Sequence, residues 1–340
     1  MVLQEPGAPF VLEERPVPEP GPGEAVARVR ACGAGLTIHH ARMGRASANY
    51  PLVIGHEITA DITALGPGVA GLAEGDAVTA YFYLSCGSCR WCRTNRETLC
   101  ENFGGYVGRQ VDGAYAEYIK LPAHNFLPFP EGLDHKNHPA EASVICDAIA
   151  TPYKVIRRAR IAPLETVAVI GAGGGLGIHM VMMARWAGAR VIAVDIAAGK
   201  LGRCRDAGAH ETVDASAGKV EEALLDLTGG NGADVVIDFV SSASSLESGM
   251  RGLGRGGRLV TLGGNSEPFQ AVPREMLSKE LELMGSRYAT RQEVVESLEL
   301  VARGDVWPLV TETYKLEEVE RVHERLEAAA VTGRAAILMD

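Results

Sequence analysis

The spacing of apolar residues changes character at about residue 148. Before that point apolar and polar residues alternate in short runs such as E-A-V-A-R-V-R-A, I-T-A-D-I-T-A-L-G and A-E-Y-I-K-L-P, broken by Gly and Pro. Period two between turn signals predicts short strands of a small antiparallel β lobe. Beyond it V-A-V-I-G (167–171) predicts a buried strand, G-I-H-M-V-M-M-A-R-W-A (177–187) a helix and R-V-I-A-V-D (190–195) the next strand, which makes one βαβ unit. Further helices are expected around Lys200 to Ala207 and over 220–227, and further strands over 234–240 and 258–263. Strands alternating with helices predict a doubly wound parallel sheet, so the fold class is α/β with an antiparallel lobe ahead of the sheet. From about 288 a helix is expected in Q-E-V-V-E-S-L-E-L-V-A-R-G, then a final apolar strand, A-A-I-L-M. Met180, Met182 and Met183 lie on a helix that must pack on the sheet, so they read as core filling.

The chain has 340 residues, enough for about two domains, and 46% are apolar, enough to fill two cores. A net charge of −10 with no basic stripe argues against a nucleic-acid partner. The first residues, M-V-L-Q-E-P-G-A-P-F, lack the basic-then-apolar order of a signal peptide, and no window holds the eighteen or so uncharged apolar residues of a membrane span. A cytoplasmic protein without a membrane partner is expected.

Four of the seven cysteines fall in one run, C-G-S-C-R-W-C-R-T-N-R-E-T-L-C: Cys86, Cys89, Cys92 and Cys100. Thiolates are soft ligands, two-residue gaps wrap sulfurs around one ion, and the longer last gap lets the loop close. Disulfides are the competing reading, disfavoured in a reducing cytosol. A Cys₄ zinc has no open position, so this one is expected to hold a loop in shape and do no chemistry. The remainder, Cys32, Cys146 and Cys204, is an odd number and reads as free thiols.

The first strand of the βαβ unit runs into Gly171-Ala172-Gly173-Gly174-Gly175-Leu176-Gly177 and then a helix. Glycines there allow a tight turn and let backbone N–H groups approach a pyrophosphate at the helix N-terminus. The strict G-x-G-x-x-G pattern is not met, because Leu176 takes its last position and the closing glycine is Gly177. Asp195 ends the second strand, where a carboxylate accepts from a ribose 2′-OH and repels a 2′-phosphate. Ile196, Ala197 and Ala198 follow and offer such a phosphate no cation, so NAD is the expected cofactor.

In this order and spacing the motifs resemble the zinc-containing medium-chain alcohol dehydrogenase family over nearly the whole chain. The resemblance implies a GroES-like catalytic lobe with a structural zinc loop over 1–147, a Rossmann domain over 148–287, and a segment over 288–340 that returns to the first lobe. It also implies hydride transfer between NAD(P) and a small-molecule substrate in the cleft between the lobes, in a homodimer or homotetramer. Lys200, five residues after Asp195, resembles a lysine near the adenosine ribose, with an exposed helix lysine as the alternative. Arg334 in G-R-A-A-I resembles a tail arginine that reaches the pyrophosphate, with an ordinary surface arginine as the alternative.

Carried onto Cys32-Gly33-Ala34-Gly35-Leu36-Thr37-Ile38-His39-His40, the family's C-G-x-C-x-[ST]-D-x-H segment departs twice. A catalytic-zinc cysteine ligand is replaced by Gly35, and the aspartate that orients a ligand histidine is replaced by Ile38. Thr37 and His40 match the hydroxyl and imidazole of the proton relay, although Thr37 also suits a helix cap. His56 matches the second metal ligand, in G-H-E with Glu57, and Asp147 the third. His56, Glu57 and Asp147, joined by His39 or His40, are what remains to hold a catalytic zinc, so that metal is an open expectation. Cys146 is a poor substitute, because its neighbour Asp147 occupies the register. His39 otherwise reads as a cleft wall or solvated residue, and His124, His135, His138, His179, His210 and His323 as loop or helix-surface residues. Tyr81, Phe82, Tyr83 and Trp91 read either as an apolar cleft or as packing around the structural zinc.

The expected function is an NAD-dependent alcohol dehydrogenase or carbonyl reductase with Thr37, His40 and His56 as catalytic residues. The alternative is a zinc-independent reductase of a C=C conjugated to a carbonyl, as in an enone or enoyl-thioester. A nucleotide-binding protein without turnover is a third possibility, disfavoured by the retained Thr37 and His40.

Overall fold

The alternating runs of the first lobe become one seven-stranded sheet. A computed structural model describes residues 1–339. The longest strand of that sheet, Glu24–Ala34, pairs antiparallel with Glu57–Leu65, Tyr118–Pro122 and Arg334–Leu338. From one edge the order is Val310–Lys315, Arg334–Leu338, Glu24–Ala34, Glu57–Leu65, Ala77–Ala80, Phe126–Pro128. The tail contributes the one parallel pair, Val310–Lys315 with Arg334–Leu338. The chain divides into two units, one of Met1–Ala150 together with the stretch from Ala289 onward, the other of Thr151–Tyr288.

The second unit is a six-stranded sheet whose neighbouring strands are all parallel. Its strands are Thr166–Ile170, Arg190–Asp195, Glu211–Asp214, Ala233–Asp238, Leu253–Thr261 and Glu282–Gly285. They lie in the order third, second, first, fourth, fifth, sixth, the doubly wound arrangement with its reversal beside the first strand. Val167, Ala168, Val169, Val191, Ile192, Ala193 and Val194 are completely buried, as continuous apolar strands covered on both faces must be. Met180 and Met183 are likewise buried, which bears out core filling for them, whereas Met182 is only partly buried.

Element ends differ from the periodicity where side chains intervene. The strand expected over 234–240 stops at Asp238, whose carboxylate accepts from the backbone N–H groups of Val240 (2.8 Å) and Ser241 (2.9 Å) and turns the chain. The helix expected from 177 begins at Gly175. In the first unit Thr290 and Glu293 form a capping box that starts the helix Arg291–Ala302. No helix among the described residues is long and apolar enough to cross a membrane.

Candidate active site

The cysteine loop has no strand of its own and only two short 3-10 turns, Cys92–Thr94 and Glu97–Leu99. Its four sulfurs nevertheless lie within 4.8 Å of one another. Cys92 Sγ stands 3.9 Å from Cys86 Sγ and 3.5 Å from Cys89 Sγ. A tetrahedron with metal–sulfur bonds of ~2.3 Å has edges of about 3.8 Å. The cluster therefore fits a structural zinc, and all seven cysteines are free of disulfides. Backbone N–H groups of Cys86 and Cys89 donate to Cys100 Sγ (3.3 Å) and Cys86 Sγ (3.4 Å), which favours thiolates. Trp91 belongs to this loop, held between the guanidiniums of Arg90 and Arg96 at 4.7 and 4.6 Å from its ring.

In the second unit Gly171 takes φ +77°, the left-handed turn that ends the first strand. A Cβ on Gly177 would stand 2.0 Å from Gly171 O, so only glycine lets the helix Gly175–Trp186 start this close to the strand. Gly174 is its N-cap, and the first-turn N–H groups, from Gly175, Leu176 and Gly177, have no acceptor within the helix. Asp195 Oδ2 accepts from Gly173 N–H at 2.8 Å and its Oδ1 from Ala197 N–H at 2.9 Å, so the carboxylate is fixed against the glycine loop. Lys200 packs there too: a Cβ on Gly173 would meet Lys200 Cβ at 2.6 Å and Asp195 Oδ2 at 3.1 Å. These residues fit a dinucleotide, with a helix N-terminus for phosphate and an acceptor for ribose hydroxyls.

In the first unit Thr37 and His40 sit one turn apart on the helix Leu36–Arg42, both exposed. The N-cap is Gly35 and no side chain caps this helix, so Thr37 is not the cap. Partial burial, then His39 and Arg45, lowers the His40 pKa and favours a neutral imidazole that can take a proton. His39, read from sequence as cleft wall or solvated, is buried at 1% exposure. Its Nδ1 lies 3.1 Å from His323 Nδ1, its Nε2 meets Glu327, and His323 Nε2 lies 3.2 Å from Tyr115 Oη. Neutral tautomers satisfy the whole chain if Nε2–H of His39, Nδ1–H of His323 and O–H of Tyr115 donate in turn. Together with Arg42–Glu320 this clamps the Thr37/His40 helix to the helix Val319–Glu327, and His39 cannot swing toward a metal. His323 and His179, expected on surfaces, are completely buried; His179 Nδ1 is satisfied by Gly175 O at 2.6 Å.

His56, Glu57 and Asp147 do converge, their ligand atoms within 4.8 Å of one another and all three side chains buried. Glu57 opens the strand Glu57–Leu65, and Asp147 lies on the π-helical turn Ile145–Ile149. The fourth member is Arg334. Expected at a pyrophosphate, it is 5% exposed and donates to Asp147 Oδ2 at 2.8 Å, with Glu57 Oε1 at 3.3 Å. Removing one partner of such a buried ion pair costs about 3–5 kcal/mol, because a charge is stranded. Burial pushes the Glu57 carboxyl up to about 8 against the pull of Arg334, and pushes the His56 imidazole down to about 4. Burial, then Glu57, raises the Cys146 thiol to about 12, and Cys146 is not among the residues whose ligand atoms converge.

A catalytic zinc needs three protein donors. Asp147 Oδ2 is engaged by Arg334, and within this cluster the buried atoms left without a partner are both nitrogens of His56, Glu57 Oε2 and Arg334 Nε. Arg334 already pairs with both carboxylates, and neither ring nitrogen of His56 has the orienting acceptor that metal-bound histidines use. Ile38, where that acceptor was expected, is buried and apolar. The set does not fit a tightly held zinc. Phe82, read from sequence as cleft or as packing around the structural zinc, stacks on His56 with ring centroids 4.0 Å apart and so lines this cluster. Tyr83 packs on Phe103 and Tyr106, and Tyr81 donates to Ala289 O at 3.1 Å.

Both units match family models: residues 21–131 the alcohol dehydrogenase GroES-like domain, residues 175–303 the zinc-binding dehydrogenase domain. The chain belongs to the zinc-containing alcohol dehydrogenase family. It is 31% identical to an NAD-dependent alcohol dehydrogenase of Sulfurisphaera tokodaii, over 99% of each chain. It is 30% identical to an acryloyl-coenzyme A reductase of Metallosphaera sedula, over 96% of each chain. The solved alcohol dehydrogenase of Aeropyrum pernix superimposes with a TM-score of 0.90 at 30% identity, over 99% of each chain.

Proposed function

We propose that this chain is an NAD-dependent oxidoreductase that passes a hydride between nicotinamide C4 and the carbon of an alcohol or carbonyl substrate. The observation that carries the reading is the Asp195 carboxylate locked onto Gly173 N–H beside a helix N-terminus. Thr37 supplies the hydroxyl that exchanges a proton with the substrate oxygen, and neutral His40, one turn on, passes that proton to solvent. His56 is a buried neutral imidazole with an N–H to offer the oxygen. The structural zinc, held by Cys86, Cys89, Cys92 and Cys100, fixes a loop and takes no part in the chemistry. The substrate is a small molecule. A cytoplasmic homodimer or homotetramer is the assembly that family membership supports.

A second reading, reduction of a C=C conjugated to a carbonyl, is favoured by Gly35 and the poor metal site, and by the relative named an acryloyl-coenzyme A reductase. There the hydride goes to the β-carbon, and a hydrogen bond to the enolate oxygen suffices. NADH oxidation measured on a ketone and on the matching enone separates the two. Carbonyl turnover that falls in His40→Ala at neutral pH is expected. Turnover of the enone alone establishes the second reading, and NADH binding without turnover on either substrate overturns both.

Asp195→Asn keeps one acceptor but removes the charge that repels a 2′-phosphate. A charge-assisted hydrogen bond is worth about 1.5–3 kcal/mol, so the NADPH-to-NADH affinity ratio is expected to rise roughly 10-fold or more. Fluorescence titration with both cofactors checks this, and an unchanged ratio removes Asp195 from the ribose site.

A further inference from the structure

The register that pairs Ala34 with Ala335 brings Gly35 opposite Arg334. A Cβ built on Gly35 would stand 2.2 Å from Arg334 Nη1 and 3.2 Å from Glu57 Oε1. No side chain fits at position 35 while the guanidinium lies there. Gly33, two residues back on the strand Glu24–Ala34, does the same for the carboxylate: a Cβ there would stand 2.3 Å from Glu57 Oε2. The two glycines thus clear room for a buried acid and a buried base. Arg334 keeps its charge at every pH the fold survives.

We propose that Arg334 is the resident cation of this cluster, filling the space a metal-binding side chain at position 35 would need, and that the chain carries one zinc, in its cysteine loop, and works without a second. The guanidinium pairs with Asp147 Oδ2 and Glu57 Oε1, and it repels any divalent ion brought to the same carboxylates. Its fixed fork also holds Asp147 Oδ2 at 2.8 Å, one of the two oxygens that carboxylate could offer a metal. The meaning of this for hydride transfer rests on the oxidoreductase reading, whereas metal content is measured without substrate, so the two fail separately.

Removing the arginine should turn the cluster into a metal site, because His56, Glu57 and Asp147 already place their ligand atoms within 4.8 Å of one another. Elemental analysis after zinc loading and extensive dialysis tests this. Wild type is expected to retain one zinc per chain, and Arg334→Ala two. Arg334→Gln, which removes the charge and keeps most of the side-chain volume, is expected to retain two as well, and serves if Arg334→Ala does not fold. Wild type holding two, or either variant holding one while its circular dichroism matches wild type, overturns the proposal.

Discussion

Gly177→Ala is expected to weaken NADH binding about 5- to 150-fold while leaving most of the fold in place. The added methyl would stand 2.0 Å from Gly171 O and 2.8 Å from Ala172 Cα, both backbone atoms of the turn that meets the cofactor. No rotamer relieves that contact, so the start of the helix Gly175–Trp186 must move off the strand end. Overpacking of this kind costs about 1–3 kcal/mol, and each 1.4 kcal/mol is about tenfold in affinity. The displaced groups are the first-turn N–H donors themselves, so the penalty falls on phosphate binding. Gly202→Ala is the control. Gly202 lies in the helix Ala198–Asp206, with nothing within 4 Å of the new methyl. It should gain about 0.5–1 kcal/mol of stability from helix propensity and leave NADH affinity unchanged. Titration and thermal unfolding of both variants check the contrast; equal NADH affinities in the two would remove Gly177 from the cofactor turn.

That turn was legible because everything it needs lies within one βαβ unit: a strand, glycines, a helix and Asp195 at the next strand end. The cysteine loop was legible for the same reason. The acid–base cluster was not, since Asp147 and Arg334 are 187 residues apart and meet only in the folded unit, one on a π-helical turn and the other on a strand. Sequence could place His56, Glu57 and Asp147 by resemblance, yet Gly35 looked like a simple loss. Its meaning depends on the arginine across the sheet, which no local spacing encodes. His323 did carry a missed signal. Val319, Val322, His323 and Leu326 fall at i, i+3, i+4 and i+7, all buried, so the histidine sits on the apolar stripe of its helix and needed a buried partner. His39 is that partner, and their contact fixes the helix that carries Thr37 and His40.

Stripping zinc from the cysteine loop, or replacing Cys92 by Ser, is expected to open that loop without unfolding the sheets. Between Cys86 and Cys100 the backbone makes only two 3-10 turns, and no strand or α-helix holds it. The four sulfurs are only partly buried, so little apolar burial replaces the metal. Structural zinc contributes about 10–16 kcal/mol in zinc-finger peptides. Here the loop is anchored at both ends in a folded lobe, so local opening rather than global unfolding is the consequence. Arg90, Arg93 and Arg96 lie inside it and make trypsin a reporter. Losing even about 3 kcal/mol of local stability raises the open population, and with it the cleavage rate, roughly 100-fold. Mass spectrometry should therefore show fragments ending at these arginines in the stripped protein and the Cys92→Ser variant, with the zinc-loaded chain intact. Equal resistance of all three to trypsin would mean that the loop is held by its own packing, with Trp91 between Arg90 and Arg96 as the element holding it.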